Sequence, residues 1–249
     1  MLAEERLARI VAAVERRGTA GIAELAAELG VSESTVRRDL DRLDEAHRLV
    51  KVRGGAAARE TAHLTRDLTM GERRGLHAAE KRAICAHAAT LVGPDDFVFL
   101  DAGSTTAELV GALAATGAAV ATDSVLHAAR LAERGCRVIV LGGELKGATG
   151  AAVGPDACAQ LGRYWFTLGL FGANAVSLEA GCTVPEPEEA AVKRGAMARS
   201  ARRCVLADAS KLGRVSRVGF AAFDDVTLIT CGDVPAAYRA RENVIVVGA

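Results

Sequence analysis

Apolar residues in the first fifty positions recur with the 3.6-residue period of amphipathic helices. Leu7, Ile10, Val11 and Val14 form one stripe, closed by Gly18. Ile22, Leu25, Ala26 and Leu29 predict a second, short helix stopped by Gly30. Ser32 is a good N-cap for a third, with Val36, Leu40 and Leu43 turned inward. No strand is expected from Leu2 to about Val50. Arg48 to Arg53 then alternates and meets Gly54-Gly55, the pattern of a short β-hairpin. Residues 1–57 therefore form one module, and the charged, patternless stretch 58–76 reads as a linker with at most a turn of helix.

From residue 77 to 249 the pattern changes to helix and strand in alternation. Helices are predicted near Ala78–Val92, Thr106–Ala115 and Glu186–Ala201. Short apolar strands are predicted at Phe97–Leu100, Ala118–Thr122, Val138–Leu141, Trp165–Phe171, Cys204–Ala207, Val226–Thr230 and Val244–Val247. That order implies an α/β fold with a Rossmann-like, mostly parallel sheet covered on both faces.

Composition narrows the classes. Of the 249 residues 51 are alanine, so the 50% hydrophobic share is an ordinary soluble composition. The longest stretch free of charge, Tyr164 to Leu178, is 15 residues, too short for a membrane span. Met1 to Glu5 carries two acids and no apolar signal core, which predicts a cytoplasmic protein. The six cysteines stand at least 22 residues apart without a CxxC, so neither a zinc ribbon nor a disulfide framework is supported, and no cofactor or metal is expected. The 31 basic residues balance 31 acidic ones, leaving any nucleic-acid signal to local patterning.

In the first module two helices around a Gly-containing turn, the second capped by Ser32, make a helix-turn-helix. With Val36, Leu40 and Leu43 inward, Ser34, Arg38 and Arg42 face outward, flanked by Thr35 and Arg37. Arginine offers a fork to guanine or phosphate, and the hydroxyls bond either. The hairpin, with Arg48, Lys51 and Arg53 and no acid, fits a wing. The competing reading is a small helical bundle with a solvated Arg face, since residues 1–58 hold ten basic and ten acidic side chains. The order Ser32-Glu33-Ser34-Thr35-Val36-Arg37-Arg38-Asp39-Leu40, followed by Val52-Arg53-Gly54-Gly55-Ala56, resembles the DeoR family of bacterial transcription regulators. The resemblance implies a winged helix-turn-helix binding operator DNA, with Arg53 where the family usually has His.

In the second part, Phe97-Val98-Phe99-Leu100 runs into Asp101-Ala102-Gly103-Ser104-Thr105-Thr106. A βα turn of small and hydroxyl residues can cradle a phosphate with free N–H groups, though many such turns bind nothing. Thr122-Asp123-Ser124, Gly142-Gly143-Glu144 and Asp208-Ala209-Ser210-Lys211 also follow predicted strands, where open parallel sheets bind ligands. These words, with Gly154, Gly172-Ala173-Asn174 and Glu189 to Lys193, resemble the DeoR effector domain in order. That domain resembles ribose-5-phosphate isomerase in fold and binds phosphorylated sugars. The resemblance implies that Gly103, Ser104, Thr105 and Thr106 hold the phosphate and that Asp101, Asn174, Lys193 and Lys211 face the sugar. A turn-forming Asn174 and a solvated Lys211 are the competing readings. Three departures fall near the expected site: Asp123 for the usual Asn, Thr167 for an expected Asp, and Ala175 for Gly.

The chain thus reads as a repressor of a sugar uptake or catabolic operon, released by a phosphorylated sugar, with fructose 1-phosphate the first effector expected. An activator would differ only in operator placement. The rival class is an active sugar-phosphate isomerase fused to a DNA-binding module. The isomerase motif Asp-Gly-Ala-Asp appears here as Phe171-Gly172-Ala173-Asn174, without both carboxylates, so no enzyme activity is expected. One helix-turn-helix covers only a half-site, which implies a homo-oligomer.

Overall fold

The computed structural model describes residues 3–46, 48–52, 54–58 and 70–248. The chain falls into two compact units, Met1–Arg66 and Asp67–Ala249. Arg53 and positions 59–69 of the expected linker lie outside the described residues.

The first unit packs α1 (Ala3–Arg17), α2 (Ile22–Leu29) and α3 (Glu33–Glu45) around Ile10, Val14, Leu25, Val36 and Leu40. Acidic Glu4 and Glu5 open α1 and Arg16 and Arg17 close it, matching the helix dipole at both ends. Gly30, at φ 65°, ends α2 in the left-handed cap that a side chain disfavours. Contrary to expectation, a strand does lie before Val50. Thr19–Gly21 (β1) pairs antiparallel with Gly55–Ala57 (β3), which also pairs with Val50–Val52 (β2). Three residues are too few to show alternation, and what admits β1 is the bareness of Gly55. A Cβ there would sit 2.2 Å from the Ala20 carbonyl oxygen.

The second unit opens with α4 (Met70–Arg74) and α5 (Ala78–Ala89). Its centre is a seven-stranded sheet in the order β15-β14-β12-β9-β4-β5-β6. These strands are β4 (Phe97–Leu100), β5 (Ala119–Thr122), β6 (Val138–Val140), β9 (Phe166–Gly172), β12 (Ser200–Leu206), β14 (Thr227–Cys231) and β15 (Val244–Val247), and every pairing is parallel. Neighbouring residues of one strand serve opposite cores. Phe99 joins Phe166 and Phe171 on one face, while Val98 and Leu100 join Leu168 and Leu170 on the other. Burial on both faces explains the short, continuously apolar strands. Crossovers are carried by α6 (Val110–Ala114), α7 (Val125–Glu133), α8 (Pro155–Leu161) and α9 (Pro187–Ala198), with α10 (Ala236–Arg239) before β15.

Several boundaries move. The helix expected from Thr106 begins as a 3₁₀ turn, Thr106–Leu109. Trp165, expected inside a buried strand, is 71% exposed, with the Arg199 guanidinium 4.5 Å above its ring. The helix expected to reach Ala201 stops at Ala198, because Ser200 already pairs with Phe166 in β12. Two features have no counterpart in the sequence reading. One is the hairpin β7 (Glu144–Leu145) and β8 (Ala152–Val153); the other is the antiparallel sheet of β10 (Ala175–Ser177), β11 (Gly181–Val184) and β13 (Val218–Ala221). No helix among the described residues is long and apolar enough to cross a membrane.

Gly55→Ala forces a Cβ onto backbone rather than onto a yielding side chain. It should destabilise the first unit by about 2 kcal/mol or more. Urea unfolding of the variant beside wild type measures this, and an unchanged midpoint would show that β1 can withdraw at no cost.

Candidate nucleic-acid interface and effector site

In the first unit Ser32 caps α3, its hydroxyl accepting from Thr35 N at 3.3 Å and bonding the Ser34 and Thr35 hydroxyls at 2.9 and 3.0 Å. Val36, Leu40 and Leu43 are buried, while Ser34, Arg37, Arg38 and Arg42 are exposed. The cations are not equivalent. Arg37 is held by Glu33 at 2.8 Å and Lys51 by Asp41, whereas Arg38 and Arg42 have no ion pair among the described residues. One motif position was not assigned from the sequence. Asp39 is buried and takes Arg6 of α1 in a two-point bond, 2.5 Å from Nε and 3.1 Å from Nη2. A planar guanidinium on a planar carboxylate fixes orientation as well as distance, so this pair sets the roll of α3 against α1.

In the second unit the chain leaves β4 in two directions. It runs through β5 to β6 on one side and from β9 through β12 and β14 to β15 on the other. The strand order therefore reverses between β4 and β9, and the carboxyl ends of those strands are where parallel sheets of this kind form a ligand crevice. Asp101, one residue past β4, bridges it. Its backbone N–H donates to Leu170 O at 3.0 Å, and its Oδ2 accepts from Gly172 N at 2.9 Å and from Lys193 of α9. Lys193 also donates to Gly172 O at 3.1 Å, and both charged residues are buried.

Asp123, past β5, accepts from Ala102 N at 2.7 Å. Burial, and next the charge of Asp101, hold its carboxyl well above the usual carboxylate range. On α9 Glu189 accepts from Lys146 at 3.1 Å and from Thr149 at 3.2 Å, both on the β7–β8 turn. Asn174, also buried, joins this side through its N–H to Thr183 O, 3.1 Å.

The Gly103–Thr106 turn continues the chain from Asp101, with Gly103 close to Gly172. The buried Thr106 hydroxyl accepts from Gly103 N at 2.9 Å and donates to Asp101 O at 2.6 Å, so it closes the turn from within. The N–H groups of Ser104 and Thr105 make no hydrogen bond among the described residues. Beside them lies Lys81 of α5, a residue the sequence reading passed over. It is 4% exposed and donates to Ser104 Oγ at 3.3 Å and to Arg73 O at 2.5 Å. Burial lowers its pKa, and burial pushes Lys211 down to about 8. Each lysine feels the positive charge of Arg73, and Asp208 is the carboxylate that reaches both. The Asp208 Oδ2 is buried without a partner among the described residues. One signal for Lys81 lay in the composition: the chain has five lysines among its 31 basic residues, and four of them, Lys81, Lys146, Lys193 and Lys211, occur in this region.

Two expectations near the site change. Thr167 bonds Phe97 N at 3.0 Å at the opposite, amino end of β9, so the residue there does not bear on the crevice. Ala175 starts β10 in extended backbone and needs no glycine.

Residues 76–232 match the DeoR C terminal sensor domain, and residues 6–62 match the DeoR-like helix-turn-helix domain. The chain belongs to the DeoR family. Relatives of this DeoR chain include the uncharacterized HTH-type transcriptional regulator FruR of Bacillus subtilis, 36% identical over 92% of this chain and 91% of that protein. The HTH-type transcriptional regulator GlpR of Haloferax volcanii is 35% identical over 96% and 94%. The lactose phosphotransferase system repressor of Staphylococcus aureus is 31% identical over 90% of each. Among solved structures, ribose 5-phosphate isomerase A from Neisseria gonorrhoeae is similar at 20% identity over 56% of this chain and 54% of that one, with a TM-score of 0.40.

Two variants follow from this geometry. Arg38→Ala, on an exposed face of α3, should keep the fold and weaken operator binding by roughly 1–3 kcal/mol in a titration at fixed salt; unchanged affinity would remove Arg38 from the interface. Asp123→Asn keeps the acceptor for Ala102 N and discards a carboxyl whose ionisation burial opposes. A folded-state pKa raised above the unfolded value of about 4 costs stability as pH rises through that value toward the folded one. The variant should therefore be more stable than wild type at pH 7 by roughly 1–2 kcal/mol, with a smaller gain near pH 5. Thermal unfolding at both pH values checks the sign.

Proposed function

We propose that this DeoR-family protein is a repressor of a sugar uptake or catabolic operon, and that a phosphorylated sugar binds at the β4–β9 crevice and lowers its operator affinity. The observation that carries this is the cluster of cations beside the Gly103–Thr106 turn of the sensor unit. Buried Lys81 and half-buried Lys211 stand beside a turn whose Ser104 and Thr105 N–H groups lack partners among the described residues; the charge of Arg73 reaches both lysines, and Asp208 is the carboxylate that reaches both. Such a corner attracts a dianion. Across the crevice, Asp101, Asp123, Glu189 and Asn174 supply acceptors and donors for hydroxyl groups. Phosphate on one side and hydroxyls on the other describe a sugar phosphate. Among the relatives, the staphylococcal protein is named a phosphotransferase repressor.

Sensing is favoured over isomerisation by what fills the catalytic positions. Phe171 occupies the place of the first motif carboxylate and is buried against Phe99, ring centroids 5.5 Å apart. Asn174 replaces the second, and the Glu189 carboxylate is engaged by Lys146 and Thr149. The described residues at the two motif positions offer no base for proton transfer between sugar carbons. On the DNA, Ser32, Ser34, Thr35, Arg37, Arg38, Arg42, Lys51 and Arg53 are the proposed contacts, presented by a homo-oligomer to paired half-sites.

An operator titration with rising fructose 1-phosphate, and with other sugar phosphates in parallel, tests the reading. Wild type should lose about tenfold or more in operator affinity, a coupling of about 1–3 kcal/mol. Lys211→Ala should bind operator normally yet respond poorly. Because free Lys211 titrates at about 8, effector affinity should fall as pH rises through that value. It should also weaken toward about pH 6, where the phosphate loses its second charge. Identical release curves for wild type and Lys211→Ala would place Lys211 outside the site.

A further inference from the structure

The short helix α4 is fastened at both ends to the two sides of the crevice. At its start, Met70 N donates to Ala148 O at 3.0 Å, and the side chain of Met70 is buried. Ala148 lies on the β7–β8 turn between Lys146 and Thr149, whose side chains hold Glu189 on the hydroxyl side. At its other end, Arg73 O accepts from Lys81, whose ammonium also reaches Ser104 on the phosphate side. His77, in the turn joining α4 to α5, has φ 52°, a left-handed conformation that residues with a Cβ avoid. A five-residue helix has little stability of its own, so its place depends on these tethers.

Electrostatics give the tethers a direction. Burial is the main cause that lowers the pKa of Lys81 and of Lys211, Asp208 opposes it, and the positive charge of Arg73 adds to it at both, so α4 carries a charge that the anion corner feels. The Lys81 ammonium has three donors, two of which serve Arg73 O and Ser104 Oγ, leaving one for an anion. An anion there would add attraction on the Arg73 charge without requiring either bond to break.

We propose that α4 is the clamp of the effector site: an anion held by Lys81, Lys211 and the Ser104 turn recruits Arg73 and fixes α4. This rests on the anion site proposed above and adds what the anion changes. The element it fixes is the first described element of the sensor unit in chain order, the position from which a change in the sensor reaches the DNA-binding unit along the backbone. A ligand alters operator affinity only through a conformation it favours, and a fixed α4 is that conformation.

The test uses the full chain with inorganic phosphate as probe, against chloride at matched ionic strength. Hydrogen exchange over residues 70–76 is followed by mass spectrometry, with thermal unfolding in parallel. Phosphate should raise the melting temperature and slow exchange in that segment about fivefold or more. In Arg73→Gln, which keeps the carbonyl that Lys81 binds, the thermal shift should shrink but persist, and the slowing should fall below about twofold. A thermal shift in wild type with unchanged or faster exchange over 70–76 overturns the clamp and leaves the anion site standing. Equal slowing in Arg73→Gln also overturns it. Absence of any phosphate-specific thermal shift in wild type overturns the anion site, and the clamp with it.

Discussion

The buried pair of Asp101 and Lys193 is the constraint on which the sensor unit depends. It sits where the strand order reverses and joins β4, β9 and α9 through one carboxylate and one ammonium. Neither charge has much water, so each depends on the other and on the Gly172 peptide, which supplies both an N–H and a carbonyl. Removing one partner of such a pair strands the other, at a cost of about 3–5 kcal/mol. The geometry at this point is therefore held by interactions that are costly for a ligand to displace.

That constraint divides the work of the remaining groups. With Lys193 committed to Asp101, the cations left for an anion are those on the other side, Lys81 and Lys211. Burial, and next the charge of Asp101, make Asp123 retain its proton more strongly. Asp123 then differs less from the usual family Asn than its formal charge implies: a protonated carboxyl, like an amide, both donates and accepts.

The DNA-binding unit follows the same economy with a different pair. Arg6 and Asp39 orient α3 from the inside, so Arg38 and Arg42 are left unpaired on its outer face among the described residues. Arg37 and Lys51 must leave Glu33 and Asp41 to reach a phosphate. Their contribution to binding is thus an exchange of partners, smaller than that of an unpaired cation.

Whatever depends on local periodicity or on contiguous words could be read along the chain. The three N-terminal helices, the Ser32 cap, the alternation of strand and helix, and the Asp101–Thr106 turn were all legible, because neighbours in the chain decide them. Tertiary structure decided the rest. β1 exists because Gly55 lets Ala20 approach, a fact held by residues 35 positions apart and by no pattern in Thr19–Gly21. Trp165 is an apolar residue at the start of an apolar run, and only the position of Arg199 shows it lying outside. Lys81 is one cation in an alanine-rich helix until the fold brings Ser104 and Arg73 to its ammonium. Thr106 reads as a ligand-facing hydroxyl until its bond to Asp101 O turns it inward. In each case the deciding partner lies across space, and a one-dimensional pattern records periodicity and local turn chemistry but not which distant groups meet.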